Sequence, residues 1–376
     1  MKILVTGGAG FIGSRLALRL TAIGHEVTVL DNLLEQIHGA DPEQSEGYRA
    51  IADKTRFFRG TVTDRETLEK ALEGQEVVVH LAAETGTGQS MYQIDRYSEV
   101  NIGGTARLLD ILANSEHSVK RVVVASSRSI YGEGRYRSQD GRFVYPDHRS
   151  EAAMASGDFE VTHPGVDGPL ELVATDEGSK IHPSSVYGIT KQVQEQMVMT
   201  VCPSIGIEGV ALRYQNVFGP GQSLSNPYTG ILSIFSNLIM QGKPINIFED
   251  GEESRDFVFV DDVVEATVLG VEHPSAANEV FNVGTGVPIT VMTVAQTLSR
   301  LLETEVPIAI SGNFRLGDIR HNYADLTKIG DVLGFQPVYD FEAGIARLAA
   351  WARDTGPQRS TYEESLEEMR RKGLMK

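Results

Sequence analysis

The sequence has 376 residues, 41% apolar and 23% charged, with a formal net charge of −17 at pH 7. This describes a globular chain with room for one large domain or two intimately joined ones. Such acidity argues against nucleic acid and acidic membranes as partners, no apolar run is long enough to span a bilayer, and a lone cysteine, Cys202, rules out an intramolecular disulfide and a cysteine-based zinc site.

The N-terminal run Met1-Lys2-Ile3-Leu4-Val5 breaks at once into glycines, so it reads as a strand rather than a secretory signal, and the expected compartment is the cytoplasm. Residues 3–6 are that strand; Gly7-Gly8-Ala9-Gly10-Phe11-Ile12-Gly13 follows, then a helical pattern through Leu20. Glycines at 7, 10 and 13 permit a tight turn, close backbone approach to a pyrophosphate and close helix–strand packing, with the phosphate at the helix N-terminus. A second strand, 26–30, ends at Asp31, where a carboxylate binds the adenosine ribose hydroxyls and repels a 2′-phosphate, so NAD is expected over NADP. The third strand, 55–59, leads into Gly60-Thr61-Val62-Thr63-Asp64. The fourth, 76–81, is a continuous apolar run, as a strand buried on both faces requires. It closes in His80-Leu81-Ala82-Ala83, where small residues let a cofactor lie against backbone and His80 reads as structural. A polar loop, 85–91, precedes a long helix whose run 106–112 suits core packing or a subunit contact.

The fifth strand, 119–125, runs into Ser126-Ser127, on the same sheet edge as the glycine loop, where α/β sheets bind ligands. Strand–helix alternation to this point specifies an α/β fold, a doubly wound parallel sheet. In Pro183-Ser184-Ser185-Val186-Tyr187-Gly188-Ile189-Thr190-Lys191, a tyrosine and a lysine four apart share one helix face. A neighbouring ammonium favours the phenolate and would draw the Tyr187 pKa towards neutrality, fitting it for general-base work. This helix is expected to about Thr200, followed by a strand over 207–214.

Together the glycine loop, His80-Leu81-Ala82-Ala83, the segment Ser127 to Tyr131-Gly132 and the pair Tyr187 and Lys191 resemble the extended short-chain dehydrogenase/reductase superfamily, in its NAD-dependent nucleotide-sugar epimerase/dehydratase branch. The resemblance continues through Leu212-Arg213-Tyr214-Gln215-Asn216-Val217-Phe218-Gly219-Pro220, the run 254–263, the run 281–286 and Arg315-Leu316-Gly317-Asp318. It implies a Rossmann domain over 1–217, a mainly substrate-binding region over 218–376, and a return to the first domain over 256–285. It also implies a homodimer and a nucleotide-diphosphate sugar as substrate.

By the same resemblance Ser127, Tyr187 and Lys191 are catalytic. NAD would be held by Gly7, Gly10, Phe11, Ile12, Gly13, Asp31, Asn32, Thr61, Val62, Leu81, Ala82, Ala83 and Asn101, along with Tyr187 and Lys191. Thr87, Arg128, Asn216, Arg255 and Arg315 would bind substrate, the last two clamping the diphosphate through bidentate hydrogen bonds; a plain ion pair is the alternative for each. Thr61-Val62 departs from the Asp-Ile that contacts adenine in many relatives. Related 4,6-dehydratases carry Asp-Glu directly after the catalytic Ser or Thr; Arg128-Ser129 stands there, which favours a 4-epimerase acting through a 4-keto sugar. Within the epimerases, the run 213–230 most resembles those acting on dTDP-linked 6-deoxy sugars. UDP-sugar epimerase, dehydratase and non-enzymatic NAD-binding regulator are the competing readings.

The stretch 133–182 is longer than the usual connection at this place in the family and is acidic. Its residues 135–145, with Asp140-Gly141 at the tip, read as a two-residue-turn hairpin. Its His148, His163 and His182 lack metal-ligand spacing, and no metal is expected. The expectation is a flap facing the substrate. Beyond it, Pro227-Tyr228-Thr229-Gly230 opens an amphipathic helix over 231–240, and 245–251 reads as hairpin-like. The tail, 361–372, is acidic first and basic last, with Tyr362, Leu366 and Met369 as an apolar docking stripe.

Overall fold

The computed structural model describes residues 1–228 and 230–376; Thr229, in the expected opening of the helix after it, lies outside the described residues. Seven parallel strands form the main sheet, in the order Glu279–Val283, Glu208–Tyr214, Arg121–Ser127, Val77–His80, Lys2–Thr6, Glu26–Asp31, Arg56–Arg59. This is the expected doubly wound sheet. Its central strands are valine-rich because both faces are covered, and Val78 and Val79 are 0% exposed. Each such side chain withdrawn from water contributes about 1.5–3 kcal/mol.

One face is covered by helices Phe11–Ala22 and Val260–Glu272, the other by Arg65–Leu72, Gly104–Asn114 and Val186–Ser204. The run 106–112 contributes Leu108, Leu109, Ile111 and Leu112 to the second of these cores. The winding reverses between Lys2–Thr6 and Val77–His80, which opens a crevice at the C-terminal ends of the strands. Because the strands are parallel, Gly7, Asp31, Leu81, Ser127 and Tyr214 all emerge on that one edge.

A second sheet joins Asn216–Phe218, Ser254–Phe259 and Pro288–Thr290, with His321–Asn322 also paired to Ser254–Phe259. The chain returns to the first core at Val258, just before helix Val260–Glu272. That helix is tied to Phe11–Ala22 by Arg15–Asp261 at 2.9 Å and Arg19–Glu265 at 2.6 Å. A third core centres on Phe218, Phe235, Phe257, Phe259 and Leu348.

Local expectations were revised in three places. The hairpin exists, pairing Tyr136 with Val144 and Arg137 with Phe143, but Ser138 N–H also bonds Arg142 O at 2.9 Å. The turn is thus Gln139, Asp140 and Gly141, with Gly141 at φ 84°, a longer loop than two residues. The segment 245–251 is no hairpin: Ile245–Ile247 pairs in parallel with Ile308–Ile310, a partner far along the chain. The tyrosine helix runs on to Ser204, with Pro203 in its last turn.

His80 is structural: its ring lies between the hydroxyls of Thr6 at 2.9 Å and Thr105 at 3.0 Å, and burial pushes its pKa down to about 3.

Candidate active site

The tyrosine helix is started by Ser185, whose hydroxyl accepts from Gly188 N–H at 3.1 Å. A Cβ on Gly188 would stand 2.6 Å from Ser129 O, so the bare glycine lets the helix lie directly against the turn after the fifth strand. That contact brings Tyr187 to Ser127.

Burial raises the Tyr187 pKa; a hydrogen bond with Ser127 and the charge of Arg128 work the other way. Burial outweighs both, against the expectation that the Tyr187 pKa is drawn towards neutrality. The Lys191 ammonium donates to Ala125 O at 2.9 Å, and burial pushes its pKa down to about 7. Desolvation acts on both members of the pair, and the helical spacing alone gave no sign of it. The cation acting on the phenol is Arg128, whose Nε donates to Asn216 Oδ1 at 3.0 Å.

Along the crevice runs a cavity of about 460 Å³. It is lined by Gly7, Gly10, Phe11, Ile12, Gly13, Asp31, Asn32, Thr61, Val62, Leu81, Ala82 and Ala83, and reaches Ser127, Tyr187 and Lys191. Gly7 takes φ 69°, and a Cβ there would lie 2.8 Å from Ala82 N, so the first strand's turn presses on the fourth strand's exit. The helix after the glycine loop has neither a side-chain cap nor an acidic residue in its first turn, leaving its N–H groups for an anion. At the other end, Gln215 lines the cavity with both atoms of its buried amide unpartnered. An uncapped helix start and an orphaned amide in one cleft fit a dinucleotide with a diphosphate and a polar ring substituent.

Two cofactor expectations change. Asn101 is 0% exposed and spent on the protein itself: it accepts from Glu84 N–H at 2.8 Å and donates to Glu84 O at 3.1 Å and Thr190 Oγ1 at 2.9 Å. It positions the loop after the fourth strand and does not line the cavity. Asp31 lines the cavity, but its oxygens already accept from Ala9 N–H at 3.0 Å and Leu33 N–H at 2.9 Å. It braces the glycine loop as well as facing the place for a ribose. Thr61 and Val62 both reach the cavity, with the Thr61 hydroxyl beside that of Thr63 at 3.0 Å.

A second cavity, of about 180 Å³, adjoins the first, sharing Thr87, Arg128, Asn216 and Tyr228 with it. Arg255 and Arg315 line it, among Phe235, Phe248 and Phe257. Arg255 does not pair with its neighbour Asp256. Its guanidinium donates to the carbonyls of Ser254, Arg320 and Ile319 at 2.6–2.9 Å, while Asp256 accepts from Thr285 and Gly286. Arg315 lies 5.3 Å over the Phe248 ring and pairs with Asp318 at 2.6 Å. Against the penalty of burial, Arg315, Arg255 and Arg128 hold the Asp318 carboxyl below the usual range. Three guanidiniums against one ionised carboxylate make this a local anion site in an acidic protein. Burial and Glu249 push Glu253, in the same cavity, up to about 7.

No residue of 133–182 lines either cavity, which overturns the substrate-facing flap. The insertion instead grips the substrate side from behind. Arg149, nearly fully buried, donates to Glu133, Glu249, Phe159 O and Asp318 O at 2.8–3.3 Å. Met154 and Phe159 pack on Phe314, next to Arg315. Two of its carboxylates, Glu133 and Glu160, serve the buried guanidiniums of Arg149 and Arg320. Among the described residues no cluster of three His, Cys, Asp or Glu could hold a metal.

Sequence reasoning missed Asp318, Glu253 and Tyr228, and it saw Tyr362 and Met369 only as a docking stripe although both line the second cavity. Asp318 stood in the quoted motif with Arg315 and Tyr228 in the run 213–230; the others carried no signal of the cavity, since their distance from Arg315 along the chain hides their nearness in space.

The sequence matches the NAD dependent epimerase/dehydratase family over residues 3–151 and 163–284. It is 37% identical over 354 residues to dTDP-L-rhamnose 4-epimerase of Burkholderia thailandensis, covering 93% of this chain and 94% of that protein. UDP-glucose 4-epimerase of Thermotoga maritima, solved with UDP-glucose, superposes at a TM-score of 0.76 with 30% identity over 94% of this chain and 99% of that one. Thermus thermophilus UDP-glucose 4-epimerase, solved with NAD, gives 0.73 and 27%, over 94% and 99%. With that match over most of its length, on a doubly wound sheet whose crevice ends at Ser127 and Tyr187, the chain belongs to the NAD-dependent epimerase/dehydratase family.

Proposed function

We propose that the protein is a nucleotide-sugar 4-epimerase that works with NAD on dTDP-L-rhamnose or a related dTDP-linked 6-deoxy sugar. The observation that carries this reading is the surroundings of Ser127 and Tyr187. Elimination of water needs a carboxylate to take the C5 proton and an acid to assist the departing hydroxyl. Arg128 and Ser129 follow Ser127, and the acidic insertion stays out of both cavities. Of the four carboxylates that line them, Asp31 accepts from Ala9 and Leu33 N–H, Glu84 is tied to Arg96 at 2.8 Å, Asp318 is tied to Arg315, and Glu253 lines the second cavity, away from Ser127 and Tyr187. The match to the rhamnose enzyme supports the sugar.

NAD, when bound, would supply a reversible hydride acceptor for the sugar. The protein's part is to position and to move protons. Tyr187 takes the proton of the C4 hydroxyl and later returns it, and Ser127 hydrogen-bonds the same oxygen. Arg128 favours the phenolate by charge. Gly7, Gly10, Phe11, Ile12 and Gly13 receive the dinucleotide's phosphates; Asp31 and Asn32 take its ribose, and Thr61, Val62, Leu81, Ala82 and Ala83 wall the cleft. Arg255 and Arg315 bind the substrate diphosphate, with Thr87 and Asn216 at the junction of the two cavities. We place the enzyme in the cytoplasm as a homodimer.

A second reading, a UDP-sugar 4-epimerase, is favoured by the likeness to the Thermotoga enzyme. A panel of UDP-, dTDP- and GDP-sugars in D₂O, with products read by NMR, decides. The expected product is a C4 epimer of a dTDP-6-deoxy sugar, with no deuterium at C5 or C6. A 4-keto-6-deoxy product from dTDP-glucose would overturn the assignment.

A further inference from the structure

The C-terminal segment 361–376 lies beyond the residues that match the family, yet it is built into the second cavity. Helix Tyr362–Arg371 buries Leu366 and Met369 against Tyr92, Phe248 and Met375. The residues after it pair with the loop that carries Arg315. Leu316 N–H donates to Leu374 O at 2.9 Å, and Phe314 and Lys376 exchange backbone hydrogen bonds at 3.0 and 3.1 Å. The segment is thus fastened on both sides of Arg315. It also reaches the junction of the two cavities, where Tyr92 OH donates to Glu368 at 3.3 Å and lies 2.7 Å from the hydroxyl of Tyr228.

Two of its side chains face the space that Arg255 and Arg315 surround. Met369 closes the side formed by helix Thr87–Ser90: its sulfur stands 3.1 Å from where a Cβ on Gly88 would be. Tyr362 stands beside Arg315, close enough for each to act on the other's charge. The Tyr362 hydroxyl makes no hydrogen bond to another described residue, although its ring is packed between two apolar clusters. A phenol held rigidly by its ring, with a free hydroxyl next to a guanidinium in a polar cavity, is a prepared donor for an anion.

We propose that the C-terminal segment is a wall of the nucleotide-sugar site, with the Tyr362 hydroxyl donating to the phosphate oxygens that Arg315 binds and Met369 packing against the nucleoside. This rests on the nucleotide-sugar reading above. The segment's contribution is to affinity for the nucleotide half and not to proton transfer, because Tyr187 and Ser127 lie in the other cavity.

The test uses dTDP and UDP as probes, titrated calorimetrically into the full chain, into the variants Tyr362→Phe and Met369→Ala, and into a chain stopped after Ser360. NAD content and thermal unfolding are followed in parallel. Tyr362→Phe loses one hydrogen bond to a charged group, so the affinity for the better-bound nucleotide should fall about tenfold. KM for the sugar nucleotide should rise in step, with kcat and NAD content unchanged. Met369→Ala should weaken the same nucleotide, and the shortened chain should lose more affinity than either.

Wild-type nucleotide affinity in both point variants would overturn the proposal, and so would wild-type affinity in a shortened chain that still melts cooperatively. If the shortened chain does not fold, the two point variants decide alone. Failure of the full chain to bind dTDP or UDP would bring down the nucleotide-sugar reading itself. That result is distinct from equal binding by full chain and variants.

Discussion

At the scale of single residues, the site works by withdrawing ionisable groups from water. Burial raises the Tyr187 pKa and pushes that of Lys191 down to about 7, displacing both groups towards their neutral forms. Tyr187→Phe keeps the ring and removes the proton acceptor; turnover should fall about 10²–10⁴-fold with unfolding stability little changed, as steady-state kinetics and a melt would check. Lys191 yields a pH prediction. Its folded pKa lies below the unfolded value of about 10.4, so between about pH 7 and 10 the unfolded chain binds the extra proton. This group's contribution to the stability of the NAD-free protein therefore rises with pH across that window, at up to about 1.4 kcal/mol per unit. Denaturant titrations of wild type and Lys191→Met should diverge in that direction as pH rises; parallel curves would refute the buried ammonium. Asp31 bears on two functions at once. Since it accepts from Ala9 and Leu33 N–H, Asp31→Ala should weaken NAD binding and narrow the preference over NADP while also lowering the melting temperature.

At the scale of elements, the insertion 133–182 is a buttress. Its small sheet of Tyr136–Arg137, Phe143–Val144 and Glu171–Leu172 stands outside both cavities, while Arg149 reaches through to the loop of Arg315 and Asp318. Trimming the tip at Asp140-Gly141 should therefore leave KM unchanged, because Gly141 has open space around it. Arg149→Ala should be severe. Its removal leaves Glu133, 1% exposed, with only the Arg320 N–H, and Glu249, 4% exposed, with only the Arg320 guanidinium, at a cost of up to about 3–5 kcal/mol. Thermal unfolding measures that cost. A KM that rose on trimming the tip while Arg149→Ala was silent would reverse these roles.

At the scale of the whole molecule, the two cavities are parts of one path, joined at Arg128, Asn216 and Tyr228. Gln36 and Asn226, which both line the first cavity, lie 3.4 Å apart. An epimerase regenerates NAD at every turnover and gains by keeping the dinucleotide bound. The purified protein should carry bound NAD and turn over sugar without added cofactor; absorbance and extraction of the denatured protein would check this. Protein that needs stoichiometric added NAD would contradict retention of the cofactor.

The sequence alone determined the doubly wound sheet and the places where the chain leaves it. Strand and helix periodicities are local, and parallel strands send every loop to one edge; Gly7, Asp31, Leu81 and Ser127 could therefore be assigned to one cleft in advance. The pair Tyr187 and Lys191 was legible for the same reason, since helical spacing places both on one face. Tertiary structure decided what those groups experience. Burial raises the Tyr187 pKa where helical spacing suggested a lowered one, and Arg128, from another element, brings its charge to bear on the phenol. Asn101 became a brace because the loop at Glu84 needed its hydrogen bonds more than the cleft did. The insertion and the tail were legible as elements but not in their placement. Each meets the Arg315 loop across a long stretch of chain, and such contacts follow from which surfaces fit, which no local pattern encodes.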